Sequence, residues 1–242
     1  MKRKETVDII GNIISNMEIK IIIDNIIDNL NGTYTIETCN TAYLYPCRMI
    51  EIDGNMYMVL EGIEGEYNEF IFNEKFTIEG DVIPVVNEFI LPPLTYFHGT
   101  VTETSAELDR MPDSTTYLPM VFFLEIFNEI FDNRDESPID RESDIRLFFL
   151  SELNRPDWLT EQQYEYALKP MRNMCYRFIE EINKNGGIGK FDNYTLINHG
   201  IFGVYKRDSG HIENIFNENL SGVEMRINIP INSHLGCENF CN

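Results

Sequence analysis

Tryptophan occurs once, cysteine five times, and lysine and arginine together only 19 times in 242 residues. Each shortage excludes something. The five cysteines, Cys39, Cys47, Cys175, Cys237 and Cys241, are odd in number, and their spacings match no disulfide scaffold. Nineteen basic residues against 40 acidic ones leave a net charge of −21. A broad basic face that displaces counterions from nucleic acid is excluded at that charge, and anionic membranes repel such a chain. Long apolar runs are missing too. The longest, Met120–Leu124, has five residues, against the roughly 20 needed to span a bilayer. Met1-Lys-Arg-Lys has the charge of a signal-peptide start, but Asp8, Asn12, Asn16, Glu18 and Lys20 interrupt any apolar stretch behind it. The sequence therefore predicts a cytosolic chain without an export signal.

Catalytic signatures are also missing. There is no G-x-S-x-G and no H-E-x-x-H. Gly186-Gly187-Ile188-Gly189 lacks the ending of a phosphate loop and is expected to terminate a helix. The acidic stretch Asp132–Asp144 lacks the glycine that an EF-hand loop needs for its sharp turn, and Pro138 falls inside it. His98, His199, His211 and His234 are scattered, and His98, before Gly99, is expected at a turn. His234, Cys237 and Cys241 form an H-x2-C-x3-C with no obvious fourth ligand, whereas structural zinc takes four. No catalytic, cofactor-binding or metal-binding residue is predicted, no cofactor, and no enzymatic activity.

What is present suits a globular chain: 43% hydrophobic and 24% charged residues. The expected class is α+β in a single domain over residues 1–242. Residues 1–32 read as helical, because Ile9, Ile10, Ile13, Ile14 and Met17 recur at helical spacing and Ile22, Ile23, Ile26, Ile27 and Leu30 do so again. Asn31-Gly32 is expected to cap that helix. Residues 33–97 read as a small antiparallel sheet or barrel. Its clearest signal is Asp53-Gly54-Asn55 between alternating strands, which is hairpin chemistry. Phe70 to Ile78 and Val82–Val86 are expected as further strands, ended by Pro92-Pro93.

Residues 98–118 read as a polar linker. Residues 119–185 are predicted as three helices: Pro119 to Phe131, apolar nearly all round; Ser143 to Asn154, with a Glu142–Arg146 surface pair; and a long one from Thr160. Thr160 and Gln163 would form a capping box, and Pro170 would kink this helix. Cys175 falls on its apolar stripe as a small buried hydrophobe. Trp158 is expected as a buried corner between the last two helices, or else as a docking anchor. Residues 186–231 read as antiparallel strands around an Asp208-Ser209-Gly210 turn, the last strand having one wet face, and 232–242 as a tail.

Three segments also carry a resemblance. They are Phe89-Ile-Leu-Pro-Pro-Leu-Thr-Tyr-Phe-His-Gly-Thr, Ser137-Pro-Ile-Asp-Arg-Glu-Ser-Asp-Ile-Arg-Leu-Phe-Phe-Leu and Lys169-Pro-Met-Arg-Asn-Met-Cys-Tyr, and Asn217-Glu-Asn-Leu-Ser-Gly-Val-Glu-Met-Arg-Ile-Asn-Ile-Pro-Ile adds to them. From about residue 6 to 231 the chain resembles virion proteins of tailed bacteriophages of Bacteroides-type hosts, the crAss-like group among them. The resemblance implies a structural subunit of a ring in the head–tail connector, neck or tail-completion region, assembled in the bacterial cytoplasm and carried in the virion. Its implied partners are copies of itself and portal, adaptor or tail proteins, with genomic DNA passing nearby and no membrane. Acidic walls would let a duplex slide. The alternative is a soluble acidic inhibitor, a DNA mimic that forms no ring.

Overall fold

A computed structural model describes residues 5–38, 41–46, 48–63, 74–111, 118–132, 139–152, 159–185, 188–191, 193–206, 212–216 and 219–232. The class is α+β, with helices a minority among the described elements. The chain divides into two compact units, Glu18–Pro93 and Met1–Met17 with Leu94–Asn242. Composition carries no mark of this division.

The first helix, α1 (Thr6–Ser15), buries Ile9, Ile10, Ile13 and Ile14 along one stripe. It stops where the helical register slips. Strand β1 (Ile19–Asp28) replaces the helix expected to run to residue 30. A cluster of isoleucines satisfies both periods, and the alternation decides. Ile19, Ile21 and Ile23 are buried while Lys20 and Ile22 are exposed. Full burial of each isoleucine contributes about 1.5–3 kcal/mol, and a branched Cβ suits a pleated surface. The predicted cap Asn31-Gly32 belongs instead to the turn from β1 into β2 (Thr33–Thr38). Gly32 has φ 82° there, the Leu30 amide donates to Asp28 Oδ1 at 2.8 Å, and the Thr33 amide donates to Asn31 Oδ1 at 3.1 Å. Asx side chains closing a turn on themselves compete with helix continuation.

Strands β3 (Met49–Ile52) and β4 (Asn55–Ile63) form the expected hairpin. Asp53 at φ 51° and Gly54 at φ 76° make its turn, whose twist matches the strands. β5 (Glu74–Glu79) buries Phe76 and Ile78 as predicted, whereas Phe70 and Phe72 lie outside the described residues. Val82–Val86 is not a strand: Pro84 interrupts it, and Val82, Ile83 and Val85 are exposed. β6 (Glu88–Leu91) completes an antiparallel sheet of order β3-β4-β5-β2-β1-β6. Its two end strands approach each other, so the sheet nearly closes on itself.

In the other unit, β7 (Thr95–Gly99) leads into α2 (Val101–Leu108), inside the predicted linker. The helix has a complete capping box: Glu103 N donates to Thr100 Oγ1 at 3.3 Å, and Thr100 N donates to Glu103 Oε2 at 2.9 Å. The Thr100-x-x-Glu103 pattern was visible in the sequence. The predicted helix 119–131 is two strands, β8 (Met120–Leu124) and β9 (Asn128–Phe131). Burial on more than one side holds for Met120–Phe123, each fully buried, because a short apolar run is as good a central strand as a helix. The predicted second helix is strand β10 (Ile139–Glu152). Glu142 and Arg146 are therefore about 13 Å apart along a strand and form no helix-surface pair.

The third predicted helix is real, in pieces: α3 (Thr160–Gln163), a π turn over Tyr164–Leu168, and α4 (Lys169–Lys184). The cap sits one residue earlier than expected, with Leu159 N donating to Gln162 Oε1 at 2.8 Å. Pro170, the second residue of α4, follows the widened turn, where a missing N–H is accommodated. Strands β11 (Tyr194–Phe202), β12 (Val204–Lys206), β13 (Ile212–Asn214) and β14 (Leu220–Asn232) follow. The predicted wet face of β14 holds over Arg226 and Asn228, which are exposed beside Arg146 and Asp144 of β10, whereas Glu224 and Pro230 on the same face are buried.

The sheet order is β11-β14-β10-β8-β7, with β9 on β10 beyond β8, and only β7 and β8 are parallel. One face carries Val121, Phe149, Val223 and Met225, and α4 packs there, Phe178 edge-on to Phe149 at 5.8 Å. The other face gathers Phe97, Met120, Phe122, Phe148, Leu150 and Leu220 with Leu108 of α2 and Phe216. Trp158, Gly186-Gly187, Ser137-Pro138, Asp208–Gly210, His211 and the His234/Cys237/Cys241 tail lie outside the described residues.

Candidate functional site

Three places in the larger unit collect polar or exposed apolar groups. The first is on the sheet face that carries Phe148. Glu224, 3% exposed, accepts from Arg226 Nε at 2.6 Å and lies 3.0 Å from His199 Nε2, with Arg146 Nε at 4.0 Å. Burial pushes the Glu224 carboxyl up, but the hydrogen bonds from Arg226 and His199 outweigh it and leave the group below its ordinary value. The His199 ring is enclosed by Phe148 and Phe202, with centroids at 5.9 and 6.0 Å. Residues 199 and 224 lie on neighbouring strands, so the pair ties β11 to β14. No nucleophile joins it in these contacts, and its geometry is that of a lock between strands.

The second place is a cleft of about 580 Å³ between α1 and β7, lined by Val7, Asp8, Gly11, Asn12, Tyr96 and His98. Tyr96 donates its hydroxyl to Val7 O at 3.0 Å, and burial pushes its phenol well up. His98 is a strand residue of β7 and not the expected turn residue; Gly99 behind it, at φ 134°, makes the change of direction. His98 Nδ1 is 2.5 Å from Glu125 Oε1.

The third place is the β9 edge. Glu129 turns inward, and its Oε1 accepts from Thr6 Oγ1 at 2.5 Å and Ser143 Oγ at 3.0 Å, with Arg141 Nε at 3.4 Å. Arg141 is 3% exposed, and its guanidinium lies over the Phe131 ring at 5.9 Å. This buried charged network holds β9 against β10 and α1. Outside it, Ile126, Ile130 and Phe131 are 69%, 67% and 46% exposed. No short-range pattern could reveal it, because Thr6 and Glu129 are 123 residues apart.

Cys175 is buried on α4, and that burial pushes its thiol well up. Among the described residues no group of three or more His, Cys, Asp or Glu could hold a metal ion. No described helix is long and apolar enough to cross a membrane. Comparison of the chain with protein-family models, curated proteins and solved structures finds no match.

Proposed function

We propose that the chain is a structural subunit of an oligomeric ring in the head–tail connector, neck or tail-completion region of a tailed phage, carried in the virion next to portal, adaptor or tail proteins. The observation that carries this reading is the β9 edge. A strand is fixed in place by a buried Glu129–Arg141 network while three large apolar side chains beside it face solvent. β9 has only four residues and an inward-pointing Glu129, features that discourage extension of the sheet itself, so what it offers another subunit is the exposed apolar surface of Ile126, Ile130 and Phe131. The charge of −21 is compatible with a wall past which DNA slides without sticking. The sequence resemblance points the same way.

Native mass spectrometry of the purified full chain tests the proposal. A closed oligomer of one stoichiometry is the expected result. A monomer that instead captures a basic nucleic-acid-binding protein in a stable complex would replace this reading with that of a DNA mimic.

A further inference from the structure

We propose that the cleft between α1 and β7 is a binding site for an organic cation, an alkylammonium or alkylguanidinium group. The inference does not rest on the ring reading. The cleft, about 580 Å³, falls within the range of roughly 300–1,000 Å³ typical of small-ligand sites. Helical periodicity puts Val7, Asp8, Gly11 and Asn12 side by side on α1. Gly11 keeps that wall open to the ring: a Cβ there would stand 2.9 Å from Tyr96 Cε1. The Tyr96 hydroxyl is already engaged with Val7 O, so Tyr96 offers the cleft an aromatic wall.

Asp8 brings a carboxylate. Beside it, the lining His98 holds a second carboxylate, with its Nδ1 2.5 Å from Glu125 Oε1. None of the six lining residues is lysine or arginine. A ligand that brings positive charge and hydrogen-bond donors therefore complements these carboxylates. An ammonium or guanidinium head brings both, and its hydrocarbon stem can lie on Tyr96 and Val7. A bare metal ion is not what this set suits, since no group of three ligands exists among the described residues. Asp8, Asn12 and His98 are exposed, so binding is expected near millimolar.

Saturation-transfer NMR on the full chain, with butylguanidinium as probe and neutral butylurea as its isostere, tests the site. Butylguanidinium should saturate at low millimolar concentration and butylurea should not. In the Asp8→Asn/Glu125→Gln double variant the dissociation constant should rise about fivefold, as for loss of an exposed ion pair. Asn12→Lys, at an exposed position and with its own ammonium, should abolish binding without a change in the melting temperature. Two sources could supply the cation. Displacement of the probe by spermidine at equal affinity identifies a free polyamine. A loss of oligomer in Asn12→Lys identifies a basic side chain of a neighbouring copy. Equal binding of butylurea, no saturation by about 20 mM, or an unchanged constant in both variants would overturn the proposal.

Discussion

The two sheets of this chain use strands in opposite ways. In the Glu18–Pro93 unit each strand buries one face. Tyr34, Ile36 and Thr38 point in from β2, Ile50 and Ile52 from β3, and Phe89 and Leu91 from β6. In the other unit stretches of the central strands are covered on both sides. Met120 to Phe123 and Leu220 to Met225 are buried without a break. α4 on one face and the α2 cluster on the other cover Met120–Phe123, Leu147–Ser151 and Leu220–Met225, while Glu142, Asp144, Arg146, Arg226 and Asn228 stay exposed at one end. A one-faced strand has neighbours that can give way on its wet side. A two-faced strand meets packed backbone wherever an atom is added.

Glycine substitutions expose that difference most strongly. A Cβ at Gly222 would stand 1.9 Å from the Phe149 carbonyl oxygen of the adjoining strand, and backbone there has nowhere to move. Gly222→Ala should destabilise the fold by at least about 4 kcal/mol, the range reserved for severe core disruption. At Gly80, the residue after β5 beside the one-faced sheet, the obstacle is the Tyr57 ring at 2.5 Å. Gly80→Ala should cost about 1–3 kcal/mol, the usual figure for overpacking. Urea unfolding of both variants gives the comparison. Equal costs would mean that burial on both faces is not the controlling difference.

Next in size is Phe178→Ala on α4. Phe178 is fully buried against Phe149, so its truncation should cost about 3–5 kcal/mol. A melting shift near zero would show that α4 does not cover this face.

The same contrast explains what the sequence could and could not reveal. The β3–β4 hairpin was legible because Asp53-Gly54 fits its turn and the flanking strands alternate. The long helix from 160 was legible because one face stays wet and a stripe of period 3.6 survives, Met171, Met174, Cys175, Phe178 and Ile182. Met120–Phe123 and Leu147–Ser151 read as helix because burial on both faces erases the period of two that marks a strand; over Arg141–Arg146 burial does alternate, but Arg141 and Ser143 are among the buried residues, so the alternation does not show as hydrophobicity. β1 failed differently: its isoleucines fit both periods, and pairing with β2 and β6 settled the choice. Of the candidate site, charge and the absence of motifs were legible. The Thr6–Glu129–Arg141 network was not, since chain reversal alone brings those residues together.

A smaller effect is expected at Glu224, the carboxylate that the two-faced sheet keeps at its rim. Glu224→Gln removes a charged acceptor from Arg226 and His199 and should cost about 1–3 kcal/mol near neutral pH. The pH dependence follows from the lowered native value. The unfolded chain takes up the proton first as pH falls, so the wild-type contribution is present above the ordinary carboxylate value of 4.5. It is lost as pH falls through the lower native value. Chemical denaturation of both proteins over that range should show the two stabilities converging in acid. A gap that widens in acid would contradict the assignment.

The smallest change in stability, and the one most specific to assembly, belongs to Ile130 on the β9 edge. It is 67% exposed, so Ile130→Ser should alter folding by no more than about 0.5 kcal/mol. If that edge is buried between subunits, each interface loses most of an isoleucine's burial, about 1.5–3 kcal/mol, or roughly tenfold or more in association per contact. Salt adds a second check. Copies carrying −21 each repel one another, over about 30 Å at 0.01 M salt and about 8 Å at 0.15 M. Apolar contact at the edge has to outweigh that repulsion, and its strength does not depend on screening in this range. Association of the wild type should therefore strengthen from low to physiological salt, and the variant should remain dissociated throughout. Sedimentation velocity over a salt series measures both. Rings that form at low salt and fall apart at high salt would mean that complementary charge, and not the exposed isoleucines and Phe131, joins the subunits.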